Sequence, residues 1–398
     1  MSGARVEEAE TVVVGLGGLG SATAWELARR GCDVVGLEQF ELGHPRGASH
    51  DTSRILRRSY HTPAYVRLAG EAYGDWARVE QASGETLVTV TGGVDLFPPD
   101  AAIPLADYVD SMRVEQVPFE LLNAAAITER WPAMRVPEGA TGLHQAGTAI
   151  VPAGRATATM ARLAAEAGAR LHDRSPVTSI DVADDGSVTV VAGGAADRTV
   201  HARRLVLTAD AWTNELLAHL GTSLPLTVTR EQVTYFDRGD PAAFAPGRLP
   251  VWIWMDDPSF YGFPTYAEGG NGALVKAAQD CGGAETSARS RSFEADPRAL
   301  DLLAGFLRGL LPDLGAPVRT VTCLYTLTPD RDFVVGALPG HPSVLLGLGA
   351  GHGFKFAPTF GRVLADLALD GGTTSDISAF AADRPALVEA GHPVSWLV

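Results

Sequence analysis

The sequence predicts an α/β plus α+β chain: a doubly wound, mostly parallel domain carrying a second, mostly antiparallel β-sheet domain inserted into it. Three observations predict this. A strand–turn–helix–strand unit opens the chain. Helix-patterned and strand-patterned stretches then interleave, as they do when helices cover a sheet on both faces. An aromatic, strand-rich region, from "LTVTREQVTYFD" to "GALVKAAQD", breaks that alternation. The insert is expected over residues 86–145 and 221–320, leaving 1–85, 146–220 and 321–398 to the first domain.

The elements follow in order. Thr11–Val14 is a β-branched run, Ala22, Leu27 and Ala28 share a helix face, Gly31 stops the helix, and "DVVGLE" is the return strand. A polar loop, "GHPRGASHDTS", leads through "RILRRSY" to a helix in "AYVRLAGEAYGDWARVE". "LVTVTGGVDLF" reads as two strands joined by a turn. Met160, Leu163, Ala164 and Ala167 form one stripe of a helix in "PAGRATATMARLAAEAGARL". "PVTSIDVADDGSVTVVAG" is a hairpin turning at Asp-Gly, and "HARRLVLTADAW" is a buried strand. Beyond the aromatic region, "PRALDLLAGFLRGLL" is helical. The chain closes with strand "SVLLGLGA", loop "GHGFK" and helix "FAPTFGRVLADLAL". No solenoid-period repeat is present, and "AGGAAD" is the extent of low complexity.

Composition narrows the function. With 46% apolar residues over 398 positions, the chain can bury a large core. A net charge of −15 repels phosphate backbones and anionic lipid, so no nucleic-acid or membrane partner is expected. Cys32, Cys281 and Cys323 form neither a disulfide framework nor a metal-ligand spacing. Glu7, Glu8 and Glu10 stand where a secretory signal needs positive charge, and no apolar run reaches the roughly 18 residues of a spanning helix. The expectation is a soluble cytoplasmic protein without metal, with monomer and homodimer both open.

Gly15-x-Gly17-x-x-Gly20 follows the first strand and opens the first helix, and Glu38 ends the next strand. Glycines at this spacing allow a tight turn and close approach to a pyrophosphate, whose charge sits on a helix N-terminus; the acid suits a ribose hydroxyl. An acid there disfavours a 2′-phosphate. FAD and NAD share the pattern.

The segments "GASHDTSRILRRSY", "FYGFPTY", "GALVK", "TCLYTLTPDRDF", "GAGHGFKFAPTFG" and "DISAFAADRPAL" occur in that order. Together they resemble the monomeric sarcosine oxidase and N-methyltryptophan oxidase family, over nearly the whole chain. That resemblance implies a Rossmann-like FAD-binding domain with an inserted substrate domain. It also implies oxidation of an N-substituted or cyclic amino acid, or another secondary amine, to an imine, with O₂ reoxidising the flavin to give H₂O₂. Residue by residue it implies FAD held covalently through Cys323, and a cofactor cradle of Gly15, Gly17, Gly20, Glu38, Ser49, Ser53, Val177, Tyr325, Gly351, Gly353, Phe354 and Lys355. Arg57 and Lys355 match the family's carboxylate-holding pair; Arg54 and His50 match residues against the flavin ring; Lys276 matches the lysine that promotes reaction with O₂; Tyr261 matches an active-site tyrosine. The residues agree with these roles: a guanidinium fork suits a carboxylate, and a fixed cation stabilises charge developing on oxygen. Arg58 and Arg67 read as surface ion-pair residues, and Cys32 and Cys281 as small buried side chains.

Four positions depart from the family pattern. Asp51 and Asp210 stand where glycine is usual, Ser53 replaces a threonine, and Asp280 replaces the histidine near the substrate. An ionised Asp280 could meet Lys276, if the strand bends, or a substrate ammonium, which would favour a cationic or bulkier amine over sarcosine. Two alternatives stay open beside the oxidase: a flavin amine dehydrogenase using another acceptor, and a non-catalytic flavoprotein.

Overall fold

The structure is a computed structural model describing residues 5–194, 197–240, 242–268 and 274–396. Positions 1–4, 195–196 of "AGGAAD" and 272–273 of "GALVKAAQD" lie outside the described residues.

The first sheet grows from the glycine-turn unit. Arg5–Val14 pairs in parallel with Val34–Leu37 on one side and Arg198–Leu207 on the other. Arg170–His172 and His341–Leu348 extend the parallel core, and the predicted hairpin, Val177–Val182 with Val188–Ala192, adds antiparallel strands at one edge. Helix Gly18–Ala28 is buried along nearly its whole length because it lies between this sheet and two further helices, Ala153–Glu166 and Ala357–Asp370. The close helix crossing needs a small residue: a Cβ at Gly361 would stand 2.7 Å from Ala22.

The second sheet has nine strands among the described residues and is antiparallel except where Val251–Trp254 runs parallel to Gly93–Phe97. Helix Pro297–Leu310 buries Leu303, Leu307 and Leu310 in a core with Phe236, Trp252 and Phe260. The aromatic residues of the insert are thus largely core. A third, three-stranded sheet of Arg54–Leu56, Ala149–Val151 and Thr89–Val90 also forms.

One expectation changes here. Strand Pro317–Leu327 pairs along its length with Thr227–Phe236, so residues 321–327 belong to the second sheet, and the chain rejoins the first sheet at Val334–Leu338. The two strands expected in "LVTVTGGVDLF" form, but in different sheets: Thr89–Val90 joins the small sheet and Gly93–Phe97 the large one. An apolar strand pattern states that a strand is buried, not which sheet receives it. Among the described residues, no helix is long and apolar enough to cross a membrane.

Candidate active site

A cavity of about 440 Å³ runs from the glycine turn to the second sheet. At the first end, Gly15 takes φ +91°, and a Cβ there would lie 2.7 Å from the Thr208 carbonyl oxygen. A Cβ at Gly20 would fall 1.8 Å from the Gly15 oxygen, so Gly20 tightens the turn and does not itself line the cavity. Gly17 does, and the Gly18 N–H donates to Ser49 Oγ at 2.9 Å. Glu38 is buried and accepts from the N–H groups of Leu16, at 2.9 Å, and Phe40, at 3.0 Å. Val177, Gly351, Gly353 and Phe354 also line this cavity. The helix beyond the turn carries no acid in its first turn. An anionic diphosphate and a ribose therefore fit: bare glycine backbone at a positive helix end, with a fixed carboxylate beyond.

At the other end the walls are Arg54, Arg57, Tyr60, Tyr261, Asp280, Tyr325, Arg331, His352 and Lys355. Arg54 donates to the carbonyls of Ser53 and Ala48, both at 2.8 Å. Arg57 is buried and bonds Asp95 at 2.9 Å, with its guanidinium 4.8 Å from the Tyr60 ring centre. Lys355 is buried and donates to the His352 carbonyl at 2.7 Å. Burial, with Arg57 and Arg331 close by, holds its ammonium well below the ordinary lysine range. His50, Ser53, Lys276 and Cys323 do not line the cavity. They reach it through Arg54: the Ser53 carbonyl that accepts from Arg54 also accepts from Lys276 Nζ, at 2.9 Å. Burial lowers His50 to about 4, so its imidazole is neutral.

Lys276 carries a partner from outside its own strand. Asp51 Oδ2 stands 2.6 Å from Lys276 Nζ, and both side chains are buried. Tyr235 donates to the other Asp51 oxygen at 2.5 Å. Lys276 is lowered to about 8, chiefly by burial, with Asp51 opposing. Asp51 has φ +81° and Asp210 φ +46°, the glycine-type backbone at both positions where an aspartate replaces the family's glycine. Such conformations cost about 1 kcal/mol or more per residue, so the surrounding structure must hold them. Burial raises the Asp210 carboxyl to about 6.

Asp280 does not face Lys276. It pairs with Arg331, 2.7 Å away, so its charge is met before any substrate arrives. Arg331 itself is buried, with φ +60°, and also donates to the Trp396 carbonyl. The reading of the sequence missed Arg331, Asp95 and Tyr235. Asp51, noted only as a departure, was the available signal for one of them. Arg67 is exposed and ion-paired as expected, whereas Arg58 stacks on Tyr73, 4.7 Å from its ring centre.

Cys323 is buried on strand Pro317–Leu327, opposite Glu231. Burial pushes its thiol up to about 11, against the pull of Arg54. Burial likewise raises Glu231 to about 7. Cys32 and Cys281 are free, and burial raises both thiols; Cys32 is buried as expected, whereas Cys281 is only half-buried. The whole sequence contains two lysines among its 32 basic residues, Lys276 and Lys355, and both are in this site.

The chain is similar to several known proteins over most of its length. It is 35% identical to the monomeric sarcosine oxidase of Streptomyces avermitilis over 388 residues, covering 96% of this chain and 99% of that one. Identity to the N-methyl-L-tryptophan oxidase of Salmonella arizonae is 31%, covering 94% and 98%. Among solved structures, the open form of NikD, described as an unusual amino acid oxidase essential for nikkomycin biosynthesis, superposes with a TM-score of 0.83 at 29% identity, covering 94% and 97%. A model of the FAD dependent oxidoreductase family matches residues 10–367. The glycine cradle, the fixed acid and this match agree: the chain belongs to the family of FAD dependent oxidoreductases.

Proposed function

We propose that the protein oxidises a small amino acid bearing a secondary or cyclic amine, delivering the imine and, through O₂, hydrogen peroxide. One observation carries this: the Lys355 ammonium is buried at the cavity wall, and among the described residues no carboxylate lies within 4 Å of it. A buried cation held by a single carbonyl lacks an anion, and a substrate carboxylate supplies one. Arg57 stands on the same cavity, its charge partly answered by Asp95. Together the two would fix the carboxylate, leaving the amine end toward Tyr261 and Tyr325, which wall the cavity beside Arg54.

Bound FAD would accept hydride from the carbon next to nitrogen and return the electrons to O₂. Gly15, Gly17, Glu38 and Ser49 would hold its nucleotide half, and Arg54 would lie against its ring. Cys323 is the thiol for covalent attachment: burial raises it, and the charges of Arg54 and Lys276 pull it back toward the nucleophilic thiolate. Lys276 would present the cation for oxygen reduction. Three unpaired thiols support a reducing setting such as the cytoplasm.

A panel of sarcosine, proline, pipecolate and N-methylated amino acids, scored by H₂O₂ release, tests the reading. Peroxide release with one of them and not with the matching decarboxylated amine is the expected result. Flavin bleaching without O₂ uptake would instead identify a dehydrogenase, and no bleaching by any amine would leave a non-catalytic flavoprotein.

A further inference from the structure

Lys276 rises from strand Val275–Gln279 of the second sheet, and the loop that receives it, residues 50–53, comes from the other domain. Its ammonium meets the Asp51 carboxylate at 2.6 Å and the Ser53 carbonyl at 2.9 Å. Phe263 and Tyr235 offer it ring faces, with centres 5.2 and 6.0 Å away. The other groups facing it give no second anion. Arg54 repels it; Tyr235 and Cys323 are held protonated by burial; His50 is held neutral. Arg319 lies over the Tyr235 ring, and Arg291 acts on His50, so the outer charges are also positive. Asp51 is thus the one carboxylate in contact with Lys276 among the described residues, and it occupies a backbone conformation, φ +81°, that is uncommon for any residue but glycine.

We propose that Asp51 is a positioning residue, the built-in counter-ion that holds the Lys276 ammonium charged and fixed beside the flavin site. A buried lysine with Arg54 for a neighbour and no anion gives up its proton, because burial penalises the charged form and the guanidinium adds to that penalty. The carboxylate opposes both effects and keeps the ammonium from falling below about 8. Tyr235, donating to Asp51 Oδ1 at 2.5 Å and contacting Thr52 Oγ1 at 2.7 Å, fixes the carboxylate in turn. The consequence for oxygen chemistry rests on the role given to Lys276 under Proposed function; the counter-ion role does not.

The test uses the two-lysine composition. Protein labelled with ε-¹⁵N-lysine gives two side-chain signals, and Lys355→Met assigns them. In wild type the Lys276 signal is expected to titrate near pH 8. In Asp51→Asn it is expected to titrate at least about one pH unit lower, a tenfold change in the protonation equilibrium. Asp51→Gly, which suits the backbone at φ +81°, should shift it equally and guards against a merely unfolded variant. A Lys276 midpoint that stays within about 0.3 unit of wild type in both variants overturns the proposal. Stopped-flow reoxidation of the reduced holoenzyme by O₂ is read beside it. Loss of rate that tracks the displaced Lys276 titration supports both readings. A displaced titration with an unaltered rate upholds the counter-ion and removes Lys276 from oxygen reduction.

Discussion

Asp280 and Arg331 form an ion pair, 2.7 Å between Oδ2 and the guanidinium, at the wall of the cavity. Asp280 keeps some solvent contact, while Arg331 is almost wholly enclosed. An aspartate in this position without a partner would recruit a cationic substrate; with the pair made, it has little charge to spend on one.

Asp280→Asn is therefore expected to change the kcat/KM ratio between N-methylated basic and neutral amino acids by less than about threefold. It should still lower thermal stability, since removing one partner leaves an enclosed guanidinium unmet, at a cost of roughly 3 kcal/mol for well-buried pairs. Steady-state kinetics across the panel and calorimetry check the two halves. A tenfold loss confined to basic substrates would show that the pair opens for them.

Lys355→Ala is expected to raise KM for amino-acid substrates by about 10²-fold, the order of effect of losing one charged hydrogen bond, and to leave the binding of ligands without a carboxylate unaffected. The pH sign also follows. Burial, with Arg57 and Arg331 close by, holds free Lys355 well below the ordinary lysine range. An arriving carboxylate favours the ammonium and so brings a proton with it. Calorimetric titration of a carboxylate inhibitor in buffers of different ionisation enthalpy should show proton uptake, lost in Lys355→Ala. Proton release on binding would contradict the role.

Acid-precipitated wild-type protein is expected to keep its yellow colour, and Cys323→Ser to surrender it to the supernatant. The measurement is absorbance of the two fractions near the flavin band, backed by intact mass. Complete loss of flavin from the wild-type pellet would rule out the thioether.

Glu231 contributes a pH dependence that can be read in stability. Its native value is raised to about 7 from a reference of 4.5, mainly by burial. The native state thus retains a proton that the unfolded state has released, so stability present below about pH 4.5 is lost as pH rises through 7. Glu231→Gln should flatten that interval and stabilise the protein at pH 8 by roughly 2–3 kcal/mol. Urea unfolding at pH 5 and pH 8 checks it; equal wild-type and variant slopes would place the carboxyl in a wetter site.

Much of this molecule could be read before it was seen. The glycine turn, the long helix Pro63–Ser83, the Asp-Gly hairpin and the final helix all declare themselves through local periodicity and turn chemistry. The site residues Arg57, Lys355 and Tyr261 were found through the motif segments and do face one cavity. The partners were not legible. Arg57 with Asp95, Lys276 with Asp51 and Asp280 with Arg331 each join segments from different strands or loops, and no local pattern encodes which acid answers which base. The destination of strand Pro317–Leu327 was hidden for the same reason: its pairing with Thr227–Phe236 is a long-range choice.

The confinement of both lysines to the interior has a practical consequence for handling the protein. Activated esters, glutaraldehyde and other amine-seeking reagents meet no lysine side chain on its surface, because Lys276 and Lys355 are 3% and 9% exposed. Surface positive charge rests on guanidinium groups, which such reagents spare and which stay charged far into alkali. A reagent that reaches Lys355 has reached the cavity wall. Its uptake, followed as a function of bound carboxylate, would then report occupancy of that cavity against a silent background of side-chain amines.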